Sequence, residues 1–168
     1  MFPCQLTRSL RIDFFIQEDA PALYQLIEKN RAYLKEFLPW LDYCNSFENS
    51  CEFISKITAE NKEKKALTLC IRKDNQIVGV ISFHPFDTNA NSAGIGYWID
   101  REHQGQGMIT QACESLIEYG FHELNLSEIK ISCNVDNKKS QAIPQRLGFT
   151  RKELLSKKEW LYDRFVDH

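Results

Sequence analysis

The chain has 168 residues, 43% of them hydrophobic and 26% charged, with a formal net charge of −2. That length builds one domain around a real core, expected over residues 1–168, and so even a charge balance gives no grounds for a nucleic-acid or anionic-membrane partner. No apolar run nears the roughly 18 residues that span a bilayer, the first residues lack an export signal's apolar core, and the cysteines (Cys4, Cys44, Cys51, Cys70, Cys113, Cys133) are scattered without CxxC or a metal-ligand spacing of histidines, so a cytoplasmic protein with reduced thiols and no metal is expected.

Residues 10–16 (LRIDFFI) read as a first strand. Glu18 and Asp19 then open a helix, with Leu23, Leu26, Ile27 and Leu34 near one face and acidic residues where the helix dipole favours them. Residues 37–41 (FLPWL) break it. A second helix covers residues 48–63 with Phe53, Ile54 and Ile57 inward, and its charged end, residues 60–65, reads as a solvated face. Residues 66–72 (ALTLCIR) and 77–84 (IVGVISFH) flank Lys73-Asp74-Asn75-Gln76 as a hairpin, and turn-rich residues 87–92 lead to a third antiparallel strand, residues 93–99. A glycine-bearing turn follows, then a helix over about residues 108–122. Residues 128–135 (EIKISCNV) alternate like a strand, and residues 137–147 form a shorter helix closed by Gly148. Residues 149–160 suggest a long strand, Asp163 a turn, and Phe165-Val166 the start of one more strand. This order is a mixed α/β sheet in which the two strands joined across the glycine turn run parallel. The chain stops inside that last strand, which is therefore expected to be shortened. An open edge there would admit a partner chain, so a homodimer is an expectation.

The most informative stretch is His103-Gln104-Gly105-Gln106-Gly107-Met108-Ile109-Thr110, set between the apolar run Ile95-Gly96-Tyr97-Trp98-Ile99 and a helix. A strand, a glycine turn and a helix start leave backbone N–H groups unpaired at the positive end of a helix dipole, which suits an anion. Two nearby glycines remove Cβ atoms from the approach of a phosphate. A P-loop would need GxxxxGK[ST], and no lysine follows Gly107. A dinucleotide fingerprint needs a third glycine where Thr110 stands, and three strands too many precede the turn. A turn that only reverses the chain remains an alternative.

Gln104-Gly105-Gln106-Gly107-Met108-Ile109 resembles the acyl-CoA pyrophosphate loop of the GNAT acyltransferase superfamily, Gln/Arg-x-x-Gly-x-Gly/Ala, through Gln104 and Gly107. Ile109 stands where the superfamily has Gly or Ala, a departure seen in its ribosomal-protein N-terminal acetyltransferase (RimJ/RimL) branch. The resemblance extends to Gly96-Tyr97-Trp98-Ile99, to Asn137-Lys138-Lys139-Ser140 and to Arg146-Leu147-Gly148-Phe149, and so covers nearly the whole chain. It implies a GNAT fold: a mixed sheet with a splay between the strands flanking the loop helix, and helices on both faces. It also implies acetyl-CoA as co-substrate. The amides of Gln104, Gly105, Gln106, Gly107, Met108, Ile109 and Thr110 would hold the pyrophosphate, with the backbone of Tyr97, Trp98 and Ile99 along the pantetheine and Asn137 and Ser140 touching the cofactor. Gly94 and Gly96 fit a strand approached closely by another backbone-like group, or a simple bulge.

Transfer of an acyl group from a thioester to an amine needs a neutral amine, donors for the oxyanion and a proton for the leaving thiolate. Many GNAT enzymes take that proton from a tyrosine at the position of Pro144, so that tyrosine is absent here. RimL-type enzymes imply Ser140 as the proton donor instead and Glu159 as the general base acting through water. Taken singly, Ser140 also reads as a helix cap and Glu159 as a solvent-facing strand residue. Cys133 sits where a thiol could face the CoA sulfur, or needs no role beyond packing. Trp40, His84 and Trp160 are candidates for the acceptor cleft. The acceptor is expected to be a protein N-terminal amine, as in ribosomal-protein-serine acetylation. A polyamine or antibiotic amine within the same chemistry, and an acyl-CoA-binding module without turnover, are the alternatives.

Overall fold

The computed structural model describes residues 2–168. Two short strands, Cys4–Gln5 (β1) and Leu10–Asp13 (β2), pair antiparallel with Cys4 opposite Ile12. Two residues carry no alternation to read, so β1 has no signature in the sequence. A 3-10 turn, Gln17–Asp19, leads into Ala20–Leu34 (α1), with Pro21 in the first turn, where a missing N–H costs no helix bond. Phe47–Lys62 (α2) starts at Ser46, whose side chain caps it by accepting from the Asn49 N–H. Leu67–Lys73 (β3), Gln76–Asp87 (β4) and Ser92–Ile99 (β5) follow as an antiparallel meander. The β3–β4 turn places Asp74 at φ 49° and Asn75 at φ 68°, a conformation these two residue types tolerate well. Met108–His122 (α3) carries the chain back so that Glu128–Lys130 (β6) lies parallel to β5. Lys138–Arg146 (α4) is followed by Glu159–Leu161 (β7) and Arg164–Val166 (β8), which form a separate two-stranded hairpin.

The main sheet runs β1-β2-β3-β4-β5-β6, with β5–β6 its parallel pair. Strand alternation splits the core in two. Leu69, Ile71, Ile81, Phe83 and Ile95 face Met108, Ala112 and Leu116 of α3 and Ile143 of α4. Cys70, Ile77 and Val80 face Leu23 and Ile27 of α1 and Ile54 and Ile57 of α2. Each such buried aliphatic contributes about 1.5–3 kcal/mol. The expected helices on both faces are therefore present. Among the described residues, no helix is long and apolar enough to cross a membrane.

Three strand expectations are corrected. The first strand ends at Asp13, because Phe15 turns into the core beneath α1 and α2. Residues 128–135 pair with β5 only at Ser92–Glu128, Ala93–Ile129 and Gly94–Lys130, after which the two strands part. Residues 149–158 are not a strand. Their charged run, with Arg151 to Leu154 exposed and Lys157 at φ 52°, offers no apolar alternation to seat on a sheet.

Candidate active site

The loop before α3 opens from Asp100, whose side chain accepts from the Glu102 N–H and caps the 3-10 turn Arg101–His103. Gly105 and Gly107 lie at φ +73° and +74°, a left-handed conformation that glycine adopts without strain. A Cβ at Gly105 would meet nothing within 4 Å, and one at Gly107 only the Gln111 side chain at 3.8 Å. Backbone angle, not crowding, is what demands these glycines, and the space before them is open. Gly107 is the N-cap of α3 and supplies no side-chain cap. The first backbone bond of the helix runs from Gln111 N to Gly107 O at 3.1 Å. Among the described residues, no carbonyl accepts from the N–H groups of Gly105 to Thr110. Three cations from two elements reach the loop: Lys73 of β3 to Gln106 at 3.3 Å, and Lys139 and Arg146 of α4 to Gln104 at 2.8 Å and Thr110 at 3.4 Å. Bare amides, a helix N-terminus and flanking cations fit a diphosphate.

Beyond Gly94, the edge of β5 facing β6 has no strand partner, so the backbone of Tyr97 and Trp98 borders a gap. Ile99 is already engaged, since its carbonyl accepts from the Tyr33 hydroxyl of α1 at 2.7 Å. The reading of Gly94 and Gly96 as cofactor clearance is corrected: a Cβ would strike the His84 carbonyl oxygen at 2.7 Å from Gly94, and the His84 ring at 2.5 Å from Gly96. Those glycines make room for His84.

Across the gap, a hydrogen-bonded cycle surrounds Ser140. Its hydroxyl donates to the Tyr97 oxygen at 3.3 Å and accepts from the Cys133 thiol at 3.5 Å, while the Tyr97 hydroxyl donates to the Ser140 carbonyl at 2.9 Å. That carbonyl is available because Pro144, four residues on, has no N–H with which to close the helical bond. Burial is the main cause pushing the Tyr97 phenol upward, so it stays a neutral donor. Burial likewise raises the Cys133 thiol, which leaves it a weak nucleophile at neutral pH. Asn137 caps α4, its Oδ1 accepting from the Ser140 N–H at 3.0 Å.

Glu159 lies on β7 with its side chain 31% exposed and Oε2 3.4 Å from Nε2 of His168. The other ring nitrogen of His168 is 2.9 Å from Ser132 Oγ. Ser132 and Cys133 are neighbours on the segment that splays from β5. One reaches toward Glu159 through His168, the other toward Ser140. Thus both catalytic candidates flank a single extended stretch.

On the α1/α2 side, Trp98 packs near Trp40 with ring centroids 6.3 Å apart, and His84 lies over Gly96 with Nδ1 2.8 Å from Ser82 Oγ. Trp160 stands apart from these two. It meets Phe165 edge-on at 4.9 Å and is 53% exposed. A cleft of about 380 Å³ opens between the end of α1 and the β7–β8 hairpin, with Glu36, Phe37, Asp136, Leu161, Tyr162 and Arg164 among its walls. Tyr162 anchors it, donating to the Leu38 carbonyl and accepting from the Leu41 N–H at 3.3 Å. Among the described residues, no cluster of His, Cys, Asp and Glu could hold a metal.

Residues 9–150 match the Acetyltransferase (GNAT) domain family. The chain belongs to the GNAT acetyltransferase family. As a GNAT acetyltransferase it is 32% identical to the ribosomal-protein-serine acetyltransferase of Escherichia coli (strain K12), over 97% of this chain and 91% of that one. It superposes with a TM-score of 0.92 on RimL, a ribosomal-protein alpha-N acetyltransferase in complex with coenzyme A disulfide-linked to a cysteine of that enzyme, at 29% identity covering 97% and 92% of the two chains. The microcin C7 self-immunity acetyltransferase MccE, in complex with acetyl-CoA and AMP, gives 0.91 at 32% identity, covering 96% and 90%. Sequence reasoning missed Tyr33, Lys29, Asp100, Ser132 and His168. Only Asp100 left a trace, as an acidic cap between strand and turn.

Proposed function

We propose that this GNAT domain transfers an acetyl group from acetyl-CoA to a primary amine, and that the amine is a protein N-terminal α-amine. The observation that carries the first half is the bare-amide loop at Gly105 to Thr110 placed beside the unpaired edge of β5. Bound there, acetyl-CoA supplies an activated thioester. The loop fixes its charged end, and the Tyr97–Trp98 backbone borders the path of its arm. Ser140, held by Tyr97 and Cys133, is the proton donor for the thiolate that leaves. Glu159, partly exposed on the far side of the same segment, takes the proton from the attacking amine through water.

The second half rests on chemistry and kinship. An α-amine has a pKa of roughly 7.7–8.0 against about 10.4 for lysine, so making it neutral costs about 3 kcal/mol less. A carboxylate base is matched to the easier task. The ribosomal-protein names of the relatives point the same way. Thiol release from acetyl-CoA, measured with peptides bearing free N-termini, with polyamines and with no acceptor, tests the reading. Release with peptides alone supports it. Release with polyamines alone replaces the acceptor, and tight CoA binding with no release for any amine makes the chain a binding module.

A further inference from the structure

We propose that His168 and Ser132 are positioning residues that aim the Glu159 carboxylate at the acceptor amine. The proposal deepens the functional reading and rests on Glu159 being the base. Three separate stretches contribute. Glu159 comes from β7, and Ser132 comes from the segment that leaves the sheet after β6. His168 follows β8 and is locked to Leu155 by backbone bonds in both directions, at 2.9 and 3.1 Å. The adjoining Asp167 carbonyl accepts from the Val135 N–H at 3.0 Å, which docks the hairpin onto the splayed segment. The imidazole is therefore fixed at its backbone, and its side chain is only 13% exposed.

The two ring nitrogens have different partners. Nδ1 lies 2.9 Å from Ser132 Oγ. Nε2 is sealed from solvent with no hydrogen bond of good geometry, and Glu159 Oε2 sits 3.4 Å away. In the neutral ring, donation by the Ser132 hydroxyl to Nδ1 puts the single N–H on Nε2. In the imidazolium, both nitrogens carry hydrogen. Either way Nε2 carries a hydrogen and lies 3.4 Å from the carboxylate oxygen, and rotation of the Glu159 side chain toward it closes the bond. A glutamate side chain has three free rotors, so tethering Oε2 leaves Oε1 in one place to receive a proton. Contacts of this kind tighten when substrate arrives.

The test compares His168→Ala, His168→Gln, Ser132→Ala and Glu159→Gln in steady-state assays with acetyl-CoA and an N-terminal peptide. Losing a hydrogen bond to a charged group should lower kcat of His168→Ala by about 10-fold, with the KM for acetyl-CoA unchanged. His168→Gln keeps an N–H near the Nε2 position and should recover most of that loss, which a purely structural role would not produce. The 15N spectrum of the folded parent should show the Nε2–H tautomer or the imidazolium, and in Ser132→Ala the neutral ring should become a mixture of tautomers. If His168→Ala keeps full kcat while Glu159→Gln is impaired, the positioning role is wrong and Glu159 stands as base. If Glu159→Gln keeps full kcat, the underlying reading is wrong. An acetyl increment on Ser132 after incubation with acetyl-CoA alone would make that serine a nucleophile and overturn the proposal.

Discussion

Position 144 shows how one side chain reorganises a site. A proline there removes the N–H that would have closed the helical bond to the Ser140 carbonyl, and the Tyr97 hydroxyl takes the vacated place at 2.9 Å. The phenol reaches this pocket from β5, whereas the family resemblance would have supplied one from α4. Tyr97→Phe should leave a buried carbonyl unpaired and cost about 1–3 kcal/mol. In a Pro144→Ala background the restored N–H competes for that carbonyl, so the same change should cost about 1 kcal/mol less, as read from denaturant midpoints of the double-mutant cycle. Glu159→Gln should depress turnover at neutral pH by a factor of about 100 or more while the CoA dissociation constant stays within twofold, measured by calorimetry. Burial keeps Cys133 in its thiol form, so mass spectrometry after incubation with acetyl-CoA alone should find no S-acetyl adduct on it. Ser140 and Glu159 could be singled out in the sequence only through resemblance. The Tyr97 bond could not, because it joins residues 43 apart in the chain and depends on a donor that is missing.

Among the elements, α1 does more than cover the sheet. Its Lys29 reaches Asp100 at 2.9 Å, its Asn30 accepts from the Arg101 N–H at 2.9 Å, and its Tyr33 holds the Ile99 carbonyl. Together they pin the entry of the glycine loop before α3 to a helix on the opposite face of the sheet. Burial pushes the Asp100 carboxyl upward, but hydrogen bonds from Lys29 and His103 outweigh it and hold the group below the ordinary carboxylate value. A value lowered in the folded state means the stabilisation is complete above the unfolded pKa of about 3.9 and fades as pH falls through the folded one. Asp100→Asn should therefore melt below the parent at pH 7, and the gap should narrow under pH 4 in a thermal scan series. Gly107→Val places a branched side chain at φ +74°, so CoA affinity should fall by about 10-fold or more, measured by calorimetry on the folded variant. The amphipathic patterns of α1, α2 and α3 were plain in the sequence because each buries one stripe. The β1 strand and the mostly exposed segment of residues 149–158 were not, since neither carries a period.

In the whole molecule, the apolar runs of β3, β4 and β5 and the parallel return through α3 could be read directly, and they agree with the sheet order. What lay beyond reading was where that order stops. Residues 128–135 alternate without a break, yet only the first three pair with β5. Nothing in the alternation marks the parting point, because residues past it trade ladder bonds for contacts with α4 and with the chain that follows β8. Cys133 meets Ser140 and Val135 meets Asp167.

A sheet unzipped past Gly94 along one seam leaves strand amides without ladder partners. An occupant lying along β5 would act as a guest strand, closing from outside a ladder the polypeptide leaves unfinished. Deuterium uptake at Tyr97 and residues 131–134 should slow when CoA is added, while the laddered β3–β4 pair keeps its rate. The weakest seam of the resting enzyme would then become one of its firmest at the moment of turnover.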